Sequence, residues 1–170
     1  MKKIFLFLIL VSVLLISCSP KDEKVMSNDE AKILLDRFME TMTNADTTLA
    51  EELLHPDCVF RYPLLPEPVK GIDGYKGLIR NMANTFSEFK VTIEDVNVKD
   101  DRIWCRYSME GINSGSLGDQ PATGKKFQIT GMAITRIADG KIIEDKTYWN
   151  ALSFFQQLGF TLSPPKVEID

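Results

Sequence analysis

The stretch GMAITRIADGKIIEDKTYWNALSFFQQLG, residues 131–159, decides the fold. Two apolar-rich runs flank Ala138-Asp139-Gly140, and Asp-Gly between such runs is the strongest short-range hairpin signal, because the tight turn needs positive φ. The second run passes through Trp149 and Asn150 into an apolar segment ending at Gly159, which reads as a short closing helix.

The preceding hundred residues fit around this hairpin. Phe89, Val91 and Ile93 alternate with polar residues, then Val96 and Val98 continue on the opposite parity, which predicts a bulge or bend near Asp95. Lys99–Arg102 turns the chain, and Ile103–Gly111 returns as a hairpin partner. Strands from about Lys126 to Ile137 and from Lys141 to Trp149 complete a four-strand antiparallel meander. The glycine-rich NSGSLGDQPATG, residues 113–124, is followed by Lys125-Lys126 and so lacks the Lys-Ser or Lys-Thr ending of a phosphate-cradling loop.

Helices precede the meander. Ser27 and Glu30 have capping-box spacing, and Ala31, Leu34, Leu35, Phe38 and Met42 recur at helical intervals. Thr48 with Glu51 is the expected cap of a shorter helix that Pro56 stops. Cys58–Tyr62 reads as a strand, and Pro63, Pro66 and Pro68 mark a rim loop. Asp73 is the expected cap of a third helix carrying Tyr75, Leu78, Ile79, Met82 and Phe86. The order predicts an α+β fold: a strongly curved antiparallel sheet with the N-terminal helices packed on its concave face, a half-open cone whose interior suits a small molecule.

The N-terminus has a separate character. Lys2 and Lys3 precede an apolar run, Ile4–Ile16, too short to span a bilayer comfortably but suited to a signal peptide. Leu15-Ile16-Ser17-Cys18 resembles a bacterial lipobox, implying cleavage before Cys18, acylation of that residue and anchoring by its acyl chains. Ser19-Pro20 lacks the aspartate associated with inner-membrane retention, so the outer membrane is the expected address. The division is thus a signal peptide (1–17), a lipidated tether (18–26), one domain (27–160) and a tail (161–170).

The chain carries 20 basic and 24 acidic residues, and losing residues 1–17 removes two lysines and no acid. A net acidic domain argues against nucleic acid or anionic lipid as a main partner. Cys58 and Cys105 lie inside strand-like runs, where two buried free thiols are expected rather than a disulfide. One histidine and scattered cysteines offer no metal set. His55, beside Pro56 at a helix end, suits a capping role, and no Gly-x-Ser-x-Gly elbow supports a triad built on it.

GIDGY (71–75), FSEF (86–89), PATGK (121–125), DGKIIE (139–144), Trp149-Asn150 and Gln157-Leu158-Gly159 together resemble the SnoaL-like family, the polyketide-cyclase and ester-cyclase relatives within the NTF2-like superfamily. The similarity runs from Ala31 to Gly159. It implies a cone with a deep apolar cavity, often a homodimer formed through the sheet, and ring closure by an intramolecular aldol reaction without metal or organic cofactor. Such chemistry needs a base for a proton alpha to a carbonyl and a donor for the enolate. Two positions depart from the family: Gly111-Ile112-Asn113 stands where Gly-Thr-His is common, and Trp149-Asn150 where Trp-Asp is common. An amide can donate to an oxyanion but takes no proton near neutral pH.

Glu144, Lys146, Tyr148 and Asn150 share one parity of the last strand. If Asn150 faces the cavity as the resemblance implies, Glu144 or Lys146 is the candidate base, or the two form an ion pair in the wall. Tyr62, Trp104 and Tyr107 are candidate cavity-lining aromatics, and Asn113 either bonds a ligand at the mouth or stabilises a turn. The expected occupant is a small apolar or carbonyl-containing ligand. The competing expectation is a non-catalytic binding or assembly module.

Overall fold

A computed structural model describes residues 26–161 and Ser163. The signal peptide, the acylated Cys18 and the tail beyond Ser163 expected from the sequence lie outside the described residues.

Helix α1 (Asn28–Thr43) starts at the expected capping box: the Ser27 amide donates to Glu30 Oε2 at 2.8 Å, and the Glu30 amide donates to Ser27 Oγ at 3.2 Å. It buries Ala31, Leu35, Phe38, Thr41 and Met42. Helix α2 (Thr47–Leu53) is capped by Asp46 rather than Thr48; the Asp46 carboxylate accepts from the Thr48 and Leu49 amides, satisfying two amides with no intrahelical partner. Strand β1 (Leu54–Arg61) follows directly. Pro56 therefore does not stop α2. It sits where β1 pairing is irregular, between Leu54 and Val59, and a missing N–H is tolerated there.

A two-residue strand β2 (Val69–Lys70) leads into α3 (Gly71–Thr85). Its N-cap is Lys70, without a side-chain bond, and Asp73 lies in the first turn, where its charge suits the positive helix end. The long strands β3 (Phe86–Lys99), β4 (Arg102–Asn113), β5 (Lys126–Ala138) and β6 (Lys141–Trp149) form the meander, and α4 (Ala151–Gln157) closes it. Asp139 and Gly140 both have positive φ, 51° and 73°, as a two-residue hairpin turn demands.

The sheet order is β2-β1-β6-β5-β4-β3. β1 runs parallel to β6, so the sheet is mixed rather than antiparallel throughout. The β3–β4 register shifts between Ile93 and Asp95, where the change of parity places it, and again between Ser87 and Lys90, where Glu88 adopts φ 51°. A further shift lies between Arg136 and Ile137 of β5 and leaves Ile143 of β6 as the extra residue. Such bulges bend a strand and raise its twist. The sheet curls over α1 and α3, and Phe38, Phe60 and Tyr75 fill one end of the cone with ring centroids 4.7–5.9 Å apart. At the other end Phe154 of α4 packs edge-on against Phe86, Phe127 and Trp149. Cys58 and Cys105 are buried free thiols.

Gly131 permits a close approach inside the cone. A Cβ there would overlap the Tyr107 hydroxyl and lie 2.7 Å from the Tyr148 carbonyl oxygen. Gly131→Ala is expected to cost about 1–3 kcal/mol, the range for overpacking a filled interior. Urea denaturation measures it, and an unchanged midpoint would contradict the packing described.

Candidate functional site

The curled sheet, α1 and α3 enclose a cavity of about 390 Å³. Most of its wall is apolar, built from Leu35, Phe38 and Met39 of α1, Leu78 and Met82 of α3, and Phe89, Val91, Met109 and Phe127 of the sheet. Asn81 and Thr85 of α3 are polar, and on the sheet side the polar residues are Tyr62, Tyr107, Thr135, Asp145 and Thr147.

Asp145 is the one carboxylate in that wall, and it is only 3% exposed. Its cross-strand partner in the β5–β6 register is Thr135. Thr135 Oγ1 donates to Asp145 Oδ2 at 2.6 Å, and Thr147 Oγ1 donates to Oδ1 at 3.3 Å. Burial pushes the Asp145 carboxyl up to about 6, against the two threonine bonds, which favour the charged form. The charge of Asp145 in turn helps raise the Tyr62, Tyr75 and Tyr107 hydroxyls and the Cys105 thiol, although desolvation is the larger cause for each. Burial pushes Cys105 up to about 12.

Tyr62 follows β1 on the parity of Cys58 and Phe60, and its ring stacks on Phe60 at 6.4 Å. Its hydroxyl is buried and has no hydrogen-bond partner. An unsatisfied buried hydroxyl is costly and calls for an explanation. Here it sits in the wall of an open cavity that also holds a carboxylate.

The row expected to face the hollow faces the other way. Tyr148 is 57% exposed, and Glu144 is ion-paired with Lys146 at 3.1 Å on the outer side of the sheet. The inward row is Asp145, Thr147 and Trp149. Asn150 misled the parity because it lies beyond the strand: it is the N-cap of α4, its Oδ1 accepting from the Ser153 amide at 2.9 Å. The extra Ile143 also lets Ile142 and Asp145 both point inward, although their parities differ.

Trp104 does not line the cavity either, because it alternates with Ile103 and Cys105, which are buried on the inner face. Asn113 is fully buried in a different role. Its Nδ2 donates to the carbonyls of Gly115 (2.7 Å) and Thr85 (3.4 Å), while its Oδ1 accepts from the amide and hydroxyl of Thr123 (2.9 and 3.0 Å). That use leaves its side chain no capacity for a ligand. Tyr62 and Tyr107 do line the cavity.

Sequence reasoning missed Asp145. A signal was present: Asp145-x-Thr147-x-Trp149 is the less charged of the two rows, and a wall that holds apolar ligands carries few charges. Among the described residues no group of three or more His, Cys, Asp or Glu could hold a metal ion.

Residues 33–158 match the family described as SnoaL-like polyketide cyclase. Aklanonic acid methyl ester cyclase DnrD of Streptomyces peucetius is 26% identical over 129 residues, covering 74% of this chain and 88% of the relative. The cyclase DauD of Streptomyces sp. (strain C5), named for the same compound, is 27% identical over 133 residues, covering 74% of this chain and 80% of its own length. Among solved structures, TsrD of Streptomyces laurentii superposes with a TM-score of 0.70 at 25% identity, over 79% of this chain and 98% of that one. An LEH-like epoxide hydrolase of M. tuberculosis, 18% identical, shares the fold with a TM-score of 0.61 over 77% of this chain and 90% of its own.

The raised carboxyl of Asp145 has a consequence for stability. Its folded pKa lies above the ordinary 3.8, so its contribution is full below about pH 4 and is lost as pH rises through about 6. Near pH 8 the loss is on the order of 2–3 kcal/mol. Asp145→Asn is expected to be more stable than the parent at about pH 8, with the advantage shrinking toward about pH 4. Urea denaturation at both values reads this out; equal differences at the two would refute it.

Proposed function

The chain belongs to the SnoaL-like polyketide cyclase family, and from that premise we propose a cofactor-independent enzyme that removes a proton alpha to a carbonyl in a small, largely apolar substrate, with Asp145 as the base. The observation that carries this reading is a single carboxylate buried in an apolar cavity wall, made more basic by its surroundings and oriented by Thr135 and Thr147. A base with a pKa near the working pH combines the correct charge state with useful driving force.

In this mechanism Asp145 takes the α-proton and becomes a neutral carboxylic acid, which the apolar surroundings favour. The Tyr62 hydroxyl donates to the oxygen of the developing enolate, so that its missing hydrogen bond is made when charge appears there. The enolate carbon then bonds to a second carbonyl carbon in the same molecule, whose oxygen takes the proton back from Asp145, or the enolate recovers that proton at carbon without ring closure. The relatives named for aklanonic acid methyl ester support a carbonyl-bearing substrate that folds within the cavity.

Deuterium exchange alpha to the carbonyl of ethyl benzoylacetate, followed by NMR, tests this directly. Asp145→Asn is expected to slow protein-dependent exchange by about 100-fold or more, and Tyr62→Phe by about 10-fold or more. Tyr62→Phe is also expected to leave the free protein as stable or slightly more stable, because it removes a buried hydroxyl without a partner. Undiminished exchange in Asp145→Asn would end the proposal.

A second reading, an assembly role, draws on the outer sheet face. Met132 and Tyr148 are register partners there, 54% and 57% exposed, and Ile134 and Trp104 lie beside each other in the adjoining register. Exposed apolar neighbours of this kind favour contact with a second copy. With the lipobox-like Cys18 this gives a lipid-anchored homodimer facing the cell envelope. Native mass spectrometry of protein purified from its own host is expected to show a dimer whose subunits begin at acylated Cys18. A monomer would remove the first part and an unmodified N-terminus the second.

A further inference from the structure

Pairing between β1 and β6 ends at Arg61↔Lys146. Beyond it β1 turns away, with the Leu65 amide donating to the Tyr62 carbonyl at 3.1 Å, while β6 continues to Trp149 paired with β5. The two strands split around a notch of about 320 Å³. Tyr62, Thr147 and Trp149 line both this notch and the main cavity. Its other walls are Arg61, Pro63, Lys146 and Tyr148.

The notch is cationic in a chain whose formal net charge is −4. No acidic residue lines it. Arg61 has no ion-pair partner among the described residues. Lys146 does have one, Glu144, but Glu144 is also drawn to Arg136 at 3.8 Å, so one carboxylate serves two cations. A free guanidinium presents paired donors that match the two oxygens of a carboxylate. Tyr62 joins this cationic rim to the interior, since it lines both the notch and the cavity and its buried hydroxyl has no partner.

We propose that the notch between β1 and β6 is a subsite for a carboxylate, and that the substrate is an amphiphilic anion: an apolar, carbonyl-bearing body in the cavity with its carboxylate held by Arg61 and Lys146. The assignment rests on the cavity being the ligand site. It places the charged end on the side of Tyr62, and so sets which carbonyl of the substrate meets that hydroxyl. It also separates the ligand's negative charge from Asp145, because Arg61 and Lys146 lie on the outer side of the strands and Asp145 on the inner.

Laurate and methyl laurate are the probes, titrated by isothermal calorimetry into the described domain within the full mature chain. Laurate is expected to bind about tenfold more tightly than its ester, a gain typical of charge-assisted hydrogen bonds. Arg61→Gln combined with Lys146→Gln should bring the ratio to about one while leaving methyl laurate affinity unchanged, and Arg61→Lys should keep part of the preference. Circular dichroism checks that the variants fold, which surface positions permit. Equal binding of acid and ester by the parent protein, or a preference that survives in the double variant, overturns the subsite and leaves the cavity intact. Failure of both probes to bind overturns the cavity as well.

Discussion

A long sheet encloses nothing unless its strands bend, and here the bending comes from slips in pairing. The extra residues near Glu94, at Glu88 and at Ile143 each break the ladder on one strand only. The sheet curls around α1 and α3 as a result, and the hollow is what remains between them. The slip at Ile143 has a second effect, since it sets which residues of β6 look inward. Without that extra residue the hairpin register would turn Asp145, Thr147 and Trp149 to solvent and bring Glu144, Lys146 and Tyr148 inside.

That hollow carries interactions that do not favour folding. Burial raises the Asp145 carboxyl, so its ionised form opposes the native state near neutral pH. The Tyr62 hydroxyl is desolvated without a partner. A cavity of about 390 Å³ also forgoes the dispersion contacts that a packed core would make. The aromatic cluster of Phe38, Phe60 and Tyr75 at one end and the Phe154 cluster at the other compensate with dense packing. Stability is thus concentrated at the two ends of the cone, and the costly groups lie between.

Much of the architecture was legible in the sequence, because it rests on local signals: the Asp139-Gly140 turn, the Ser27–Glu30 box, the parity change at Asp95. The parallel pairing of β1 with β6 was not, since it joins segments more than eighty residues apart and leaves no periodic trace. The site was less legible for a related reason. Strand parity says which side chains share a face but not which face is inward, and Asn150 points to the wrong face because it caps α4 instead of continuing the strand. Met132, Ile134 and Trp104 on the outer face blurred the contrast that would have identified the inner one. Asn113 was placed between two roles by its position after a strand, and only its four side-chain bonds show that it fastens a loop.

That fastening constrains how the interior is reached. The segment after β4 contributes Leu117 and Gly118 to the cavity wall, and Asn113 ties its base to the end of α3 and to Thr123 at once. At about 1 kcal/mol for each bond, swinging this segment aside means losing several together. Gly115 presses against the Asn84 carbonyl, leaving no room even for a methyl group, so the hinge is jammed as well as latched. Leu64 and Leu65, which also line the cavity, sit instead on a proline-rich stretch whose turn bond runs from the Leu65 amide to the Tyr62 carbonyl, the more lightly fastened of the two segments.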